Sequence, residues 1–173
     1  MPQPAAPTSP EHAHVPSARR PPAEAAVEVA AVDTSFLETL VGYSARRAAL
    51  VVIENFIERM APFGLRPVEF SVLALVHRNP GITSRQLCAT LDILPPNLVG
   101  MVKHSEKRGL LHKREHPSDR RAQGLYLTPA GAELLSQAEQ SATQLEVDAT
   151  PNLSAAERKT LLRLLRKVYT RRR

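Results

Sequence analysis

The chain contains no tryptophan, four phenylalanines, three tyrosines and a single cysteine among its 173 residues. One cysteine, Cys88, cannot build a disulfide framework within the chain, so a reducing, cytoplasmic setting is expected. Hydrophobic residues make up 43% of the sequence but aromatics only 4%. The core must therefore be mostly Leu, Val, Ile and Ala, a palette that favours helices. The longest apolar runs, such as Ala48–Ile53, fall far short of the roughly 20 residues that cross a bilayer. The N-terminus has no basic stretch leading into an apolar one, so no secretory signal is read and no membrane partner is expected. Also missing are an HExxH pair, a phosphate-cradling glycine loop, a nucleophile elbow and a Ser/His/Asp arrangement. An enzyme is not expected, and no catalytic residue or cofactor is assigned. His12, His14, His104, His112 and His116 are spaced too irregularly for a metal site, although His104 and His112 are placed to reach phosphate.

What is present is positive charge, a formal +6, which points toward polyanions. Residues 1–32 do not carry it. They are crowded with Pro and Ala and set Glu11, Glu24 and Glu28 against Arg19 and Arg20. With no sustained apolar stripe they cannot offset the entropy of ordering, and a flexible tail is expected.

Order is expected from Asp33. Ser35 followed three residues later by Glu38 reads as a capping box, ahead of Phe36, Leu37, Leu40, Val41, Ser44, Ala48, Val51, Val52 and Phe56 at spacings of three and four. This predicts one long helix ending near Met60. A second helix starts at Pro67, a good first-turn residue, and stops before Asn79–Gly81. Thr83 with Gln86 opens a short helix through Leu87 and Leu91. The next carries Leu98, Met101, Val102 and Ser105 on one face and ends at Gly109, suited to a left-handed terminator. Gly109–His116 and Gly124–Thr128 read as two strands of a hairpin, with Pro, Ser and Asp between them as turn formers. Thr128 then caps a helix with Pro129 at its first position, Pro151 breaks it, and Ser154 with Glu157 opens a last helix through Tyr169. The predicted class is mainly α with a small β-wing: a winged helix-turn-helix flanked by N- and C-terminal helices.

A helix-turn-helix followed by a basic hairpin is a DNA-binding arrangement. Between Pro95 and Arg121 stand Lys103, Lys107, Arg108, Lys113, Arg114, Arg120 and Arg121 against Glu106, Glu115 and Asp119, a surplus that would supply salt-dependent phosphate affinity. At about 100° per residue, Pro96, Gly100, Lys103 and Lys107 lie opposite the apolar face, with Asn97 and His104 at one margin. That outward face is expected to enter a major groove, where the first turns reach base edges. Gly100 permits close approach but offers no side chain to read a base. At the hairpin tip an Arg suits the negative potential of a minor groove, with Asp119 orienting a neighbouring guanidinium.

The stretch Asp119–Thr128, "DRRAQGLYLT", followed by Gly131 and preceded by "EKRGLLHKR" from Glu106, resembles the MarR family of bacterial winged-helix regulators. "LRPVEFSVLALV", Leu65–Val76, is similar to that family's second-helix entry, and the resemblance covers about Asp33 to Tyr169. It implies a homodimer, a palindromic operator and a small-molecule inducer. Val99-Gly100 departs from the family, many of whose members carry Thr-Arg there, which leaves base reading to Asn97, Lys103 and the wing arginines. The family's effector, often an aromatic acid, sits between the dimer helices and the winged helix. On that resemblance Tyr43, Arg46, Arg47, Phe70 and His77 are its candidate lining here. Cys88 is not where redox-sensing relatives keep their cysteine.

Pairing also has a warrant of its own. The last helix has an apolar arc about 160° wide, more than one neighbour needs, and each buried Leu is worth about 1.5 to 3 kcal/mol. Phe36, Leu40, Leu161, Leu165 and Val168 are the candidate dimer contacts. Two-fold pairing would set two recognition helices roughly 34 to 36 Å apart. The expected organisation is a tail over 1–32, an N-terminal dimerisation helix over 33–62, a winged helix-turn-helix over 63–128 and C-terminal dimerisation helices over 129–173. The expected function is sequence-specific transcriptional regulation by a homodimeric repressor of double-stranded DNA, released by a small organic ligand. The rival is an architectural or nonspecific nucleic-acid-binding protein without a ligand switch.

Overall fold

The computed structural model describes residues 32–116 and 119–170, with the side chains of 116–121 outside that description. The tail expected over 1–32 and the terminal arginines 171–173 thus lie almost wholly outside the described residues. The elements in order are α1 (Ser35–Glu38), α2 (Val41–Met60), a 3-10 turn (Ala61–Phe63), α3 (Pro67–Arg78), β1 (Ile82–Thr83), α4 (Ser84–Leu91), α5 (Pro95–Lys107), β2 (Leu111–His116), β3 (Asp119–Leu127), α6 (Pro129–Asp148) and α7 (Ala155–Tyr169).

Most boundaries follow from local chemistry. The Thr83 hydroxyl accepts from the Gln86 N–H while the Gln86 side chain accepts from the Thr83 N–H, closing both donors at the start of α4. Ser154 and Glu157 do the same for α7. The hydrogen bonds from Ser154 hold the Glu157 carboxyl below its ordinary range. Gly109, at φ 69°, supplies the left-handed residue beyond α5.

The long first helix expected from the sequence is in fact two. Thr34, not Ser35, stands at the N-cap of α1, and its hydroxyl donates to the Glu38 carboxylate at 2.7 Å. Ser35 lies inside the helix and gives its N–H to the Asp33 carboxylate, whose pKa that bond lowers. The Thr39 N–H turns to Phe36 and the Leu40 N–H to Leu37. Leu40 becomes the extended cap of α2, and the ladder is interrupted there.

The sheet has three strands in the order β1-β3-β2, all antiparallel. Its two-residue β1 was not visible in the sequence, because Ile82–Thr83 is too short to show alternation. β3 begins at Asp119, so Asp119, Arg120 and Arg121 lie on strand backbone rather than in the expected bend. The β2–β3 register runs regularly from Leu111↔Leu127 to Glu115↔Gln123, then shifts so that His116 faces Asp119.

The core lies between α3, α4, α5, the sheet and the first half of α6. Met60, Leu73, Val76, Leu87, Leu98, Val102, Leu111, Leu125 and Leu135 meet there, with Phe56, Phe63 and Phe70 only partly buried against them. Gly131 sets how closely α6 approaches: a Cβ at that position would run into the Leu110 carbonyl. α2 and α3 pack along α6. The ion pairs Arg59–Asp148 and Arg78–Glu139 reinforce those contacts from outside. Among the described residues no helix is long and apolar enough to cross a membrane.

Candidate nucleic-acid interface

The helix α4 packs on α5 and touches β3, and α5 touches β2. Leu98, Val102 and Ser105 of α5 are buried and Met101 is half-buried, as the sequence predicts. Pro96, Asn97, Gly100, Lys103, His104 and Lys107 are all exposed, so the six residues assigned to the groove-facing surface do share a face. Lys103 and Lys107 have no ion-pair partner among the described residues. No atom lies within 4 Å of where a Gly100 Cβ would sit.

The start of α5 offers no phosphate cradle of its own. Pro95 and Pro96 lack an N–H, and the Asn97 and Leu98 N–H groups both turn back to the Leu94 carbonyl. The free amide donors that let a helix N-terminus hold an anion are thereby consumed.

The basic surplus is smaller at the surface than in the sequence. Arg108 donates to the carbonyls of Phe63 and Gly64 at 2.7 and 2.8 Å, closing the 3-10 turn against the end of α5. Lys113 pairs with Glu106 at 2.8 Å, tying the wing to α5. Arg114 lies 5.8 Å from the centre of the Tyr126 ring, within cation–π range. His112 stacks on the same tyrosine, and its Nε2 is buried without a hydrogen-bond partner, so it is not placed to reach phosphate through that nitrogen. Sequence reasoning missed these roles because each depends on a contact between elements. The seven-residue Glu106–Lys113 spacing carries no periodic signal across a helix–strand junction. Asp119, Arg120 and Arg121 are carried on the β3 backbone, and their side chains lie outside the described residues.

Thr128 joins the parts. Its hydroxyl donates to the Gly109 carbonyl at 2.6 Å and accepts from the Gly131 N–H at 3.0 Å, while its own N–H donates to Leu110. One residue thus fixes the end of α5, the root of the wing and the start of α6.

The residues assigned to an effector are not gathered at one point. Phe70 packs edge-to-face on Phe56, with ring centres 5.5 Å apart. It also lines a cleft of about 420 Å³ between α3 and α6, with Ala74, Leu75, Arg78, Glu139 and Ala142. Arg78, which sequence reasoning did not single out, donates to Glu139 across this cleft and lowers that carboxyl's pKa. Tyr43 lines a different cleft, of about 390 Å³, with Arg47, Thr34, Glu38 and Ser44. Arg46 and His77 are exposed and line neither.

The candidate dimer contacts lie at the surface. Phe36, Leu40, Leu161, Leu165 and Val168 are all exposed, and among the described residues α7 has no buried position.

Residues 63–122 match the sequence pattern of the MarR family. The chain is 30% identical over 129 residues to a putative transcriptional regulatory protein for the hcr operon of Thauera aromatica, covering 74% of this chain and 78% of that one. Among solved structures it is similar to the transcriptional repressor CouR bound to a 23-mer DNA duplex: 39% identity, TM-score 0.74, 79% of this chain and 97% of that chain. It is also similar to CouR bound to p-coumaroyl-CoA: 35% identity, TM-score 0.72, 82% and 99%.

Proposed function

This chain belongs to the MarR family of transcriptional regulators, and from that premise we propose that it works as a homodimeric repressor of a palindromic operator, released by a small organic ligand. The observation that carries the reading is the shared face of α5, where Asn97, Lys103, His104 and Lys107 stand exposed beside a wing braced to the same helix by Lys113–Glu106. The helix is to enter the major groove, and Arg120 and Arg121 are to engage the adjacent minor groove, with Asp119 orienting them. The solved relative on a duplex supports this docking.

Residues 63–128 form the DNA-binding unit, and 33–62 with 129–173 supply the pairing surface. Support for pairing comes from the exposed apolar row of α7 and from Phe36 and Leu40, surface that is costly to leave in water. The ligand is an aromatic acid or its coenzyme A thioester, a class supported by the CouR complex with p-coumaroyl-CoA. The Phe70 cleft offers an apolar wall beside a guanidinium. Tyr43 lines a separate cleft and Arg46 and His77 line neither, so the ligand reading rests on the Phe70 cleft.

Anisotropy titrations of duplex pools, with random-sequence DNA as competitor, test the reading. A selected palindrome should outcompete random duplex by about a thousandfold or more, and p-coumaroyl-CoA should release it. Equal affinity for all duplexes would establish the architectural rival. No binding at low ionic strength would remove both.

A further inference from the structure

The first two turns of α5 contain little that can form a hydrogen bond with a base. Pro96 and Gly100 occupy the middle of the exposed face. Asn97 stands at one edge, and Val99, 49% exposed, stands at the other. Leu94, 69% exposed, flanks the entrance of the helix. Asn97 is the one exposed side chain of these turns with amide donors and acceptors. The first amides are consumed within the helix, as described above. A face of this kind is a poor reader of guanine or cytosine edges, whose distinguishing groups are donors and acceptors. It fits the one apolar group on a base edge in the major groove, the C5-methyl of thymine. The open space over Gly100 lets the backbone come close enough for flanking side chains to touch such a methyl.

Building on the operator-binding reading, we propose that this helix recognises its half-site through thymine methyl groups seated against Val99 and Pro96 around Gly100, with Asn97 reading an adjacent base. Val99 is then a specificity-determining residue, and the valine–glycine pair replaces the longer polar side chains of other readers with shape. Burying one methyl contributes about 0.8 kcal/mol, or roughly a fourfold change in affinity.

The test begins with a duplex selected by the full-length protein from a pool with randomised palindromic arms. Each dT of a half-site is then replaced in turn by deoxyuridine, which removes only the methyl. For the wild type, affinity should fall about fourfold at one or two positions and stay unchanged elsewhere. Val99→Ala should bind the parent duplex correspondingly less well and lose its sensitivity to one of those replacements. Gly100→Ala should raise the thermal midpoint by about 2–3 °C, as a helical alanine does, yet weaken binding. The proposal is overturned by a selected half-site without thymine, by deoxyuridine binding as tightly as thymidine everywhere, or by full methyl sensitivity in Val99→Ala. Wild-type affinity in Gly100→Ala overturns the close approach. Should Val99→Ala fail to fold, the deoxyuridine series on the wild type decides alone. Failure to select any duplex is a separate result that removes the operator reading itself.

Discussion

Leu98, Leu111 and Leu125 in the winged-helix body are at most 2% exposed, whereas Leu161, Leu162, Leu164 and Leu165 of α7 are 39–50% exposed. The two regions draw on the same residue type at similar helical or strand spacings. In the body, Leu98, Leu111 and Leu125 belong to one buried cluster of the same chain, and Leu125 sits on β3 between Ile82 of β1 and Lys113 of β2. In α7 the leucines are exposed on a helix whose N-terminus is closed by a capping box, so the helix is locally specified while no residue of it is buried among the described residues. Stability of the body thus rests on contacts within one chain, whereas the exposed leucines of α7 are the surface that the proposed pairing would cover.

The difference is open to direct attack. The largest effect is expected from Leu125→Ala, which removes a fully buried side chain and should cost about 2–5 kcal/mol. Thermal unfolding should show this loss to the same extent at every protein concentration. The combined change Leu161→Asp and Leu165→Asp should leave the helical circular dichroism nearly intact. It should turn the dimer into a monomer in sedimentation and weaken palindrome binding about a hundredfold, because the second half-site no longer binds as part of the same particle. A dimer that survives this double change would place the pairing surface elsewhere. Next in size is Arg121→Ala: operator affinity should fall about tenfold or more, while sedimentation and melting stay those of the wild type. Unchanged affinity there would refute the wing's assignment.

The smallest effect belongs to the ion pair that joins α3 to α6. The Arg78 and Glu139 side chains are 59% and 31% exposed, so solvent screens the pair and Glu139→Gln should cost only about 0.3–1 kcal/mol. The hydrogen bond from Arg78 lowers the Glu139 pKa from its ordinary 4.5. The pair's contribution is therefore intact above that value and is lost as pH falls through the lower folded one. Denaturant titrations of wild type and Glu139→Gln should differ at pH 7 and converge in acid.

The legible parts of the fold were those with local causes. Thr83 with Gln86, Ser154 with Glu157, Thr128 ahead of Pro129, and Gly109 each announce an element end through chemistry contained within four residues. That Pro96, Asn97, Gly100, Lys103, His104 and Lys107 are exposed together on α5 was legible for the same reason, since helical phase is local. The break at Thr39–Leu40 was hidden because the apolar spacing runs straight through it while a Thr34–Glu38 bond closes a separate turn. The employment of Arg108 and Lys113 was hidden because their partners come from other elements. In the sequence a basic residue counts as available charge, and only the folded chain shows which guanidinium is already occupied. Phe70 and Tyr43 illustrate the same limit, since two aromatics on neighbouring helices open into separate clefts.

Thr128 has a mechanical consequence. Because one hydroxyl spans Gly109 and Gly131, a tilt of α6 about its first turn strains either the C-terminal end of α5 or a bond of about 1 kcal/mol. The Phe70 cleft opens along that same α6, so the junction at Thr128 lies on the helix that forms one of its walls.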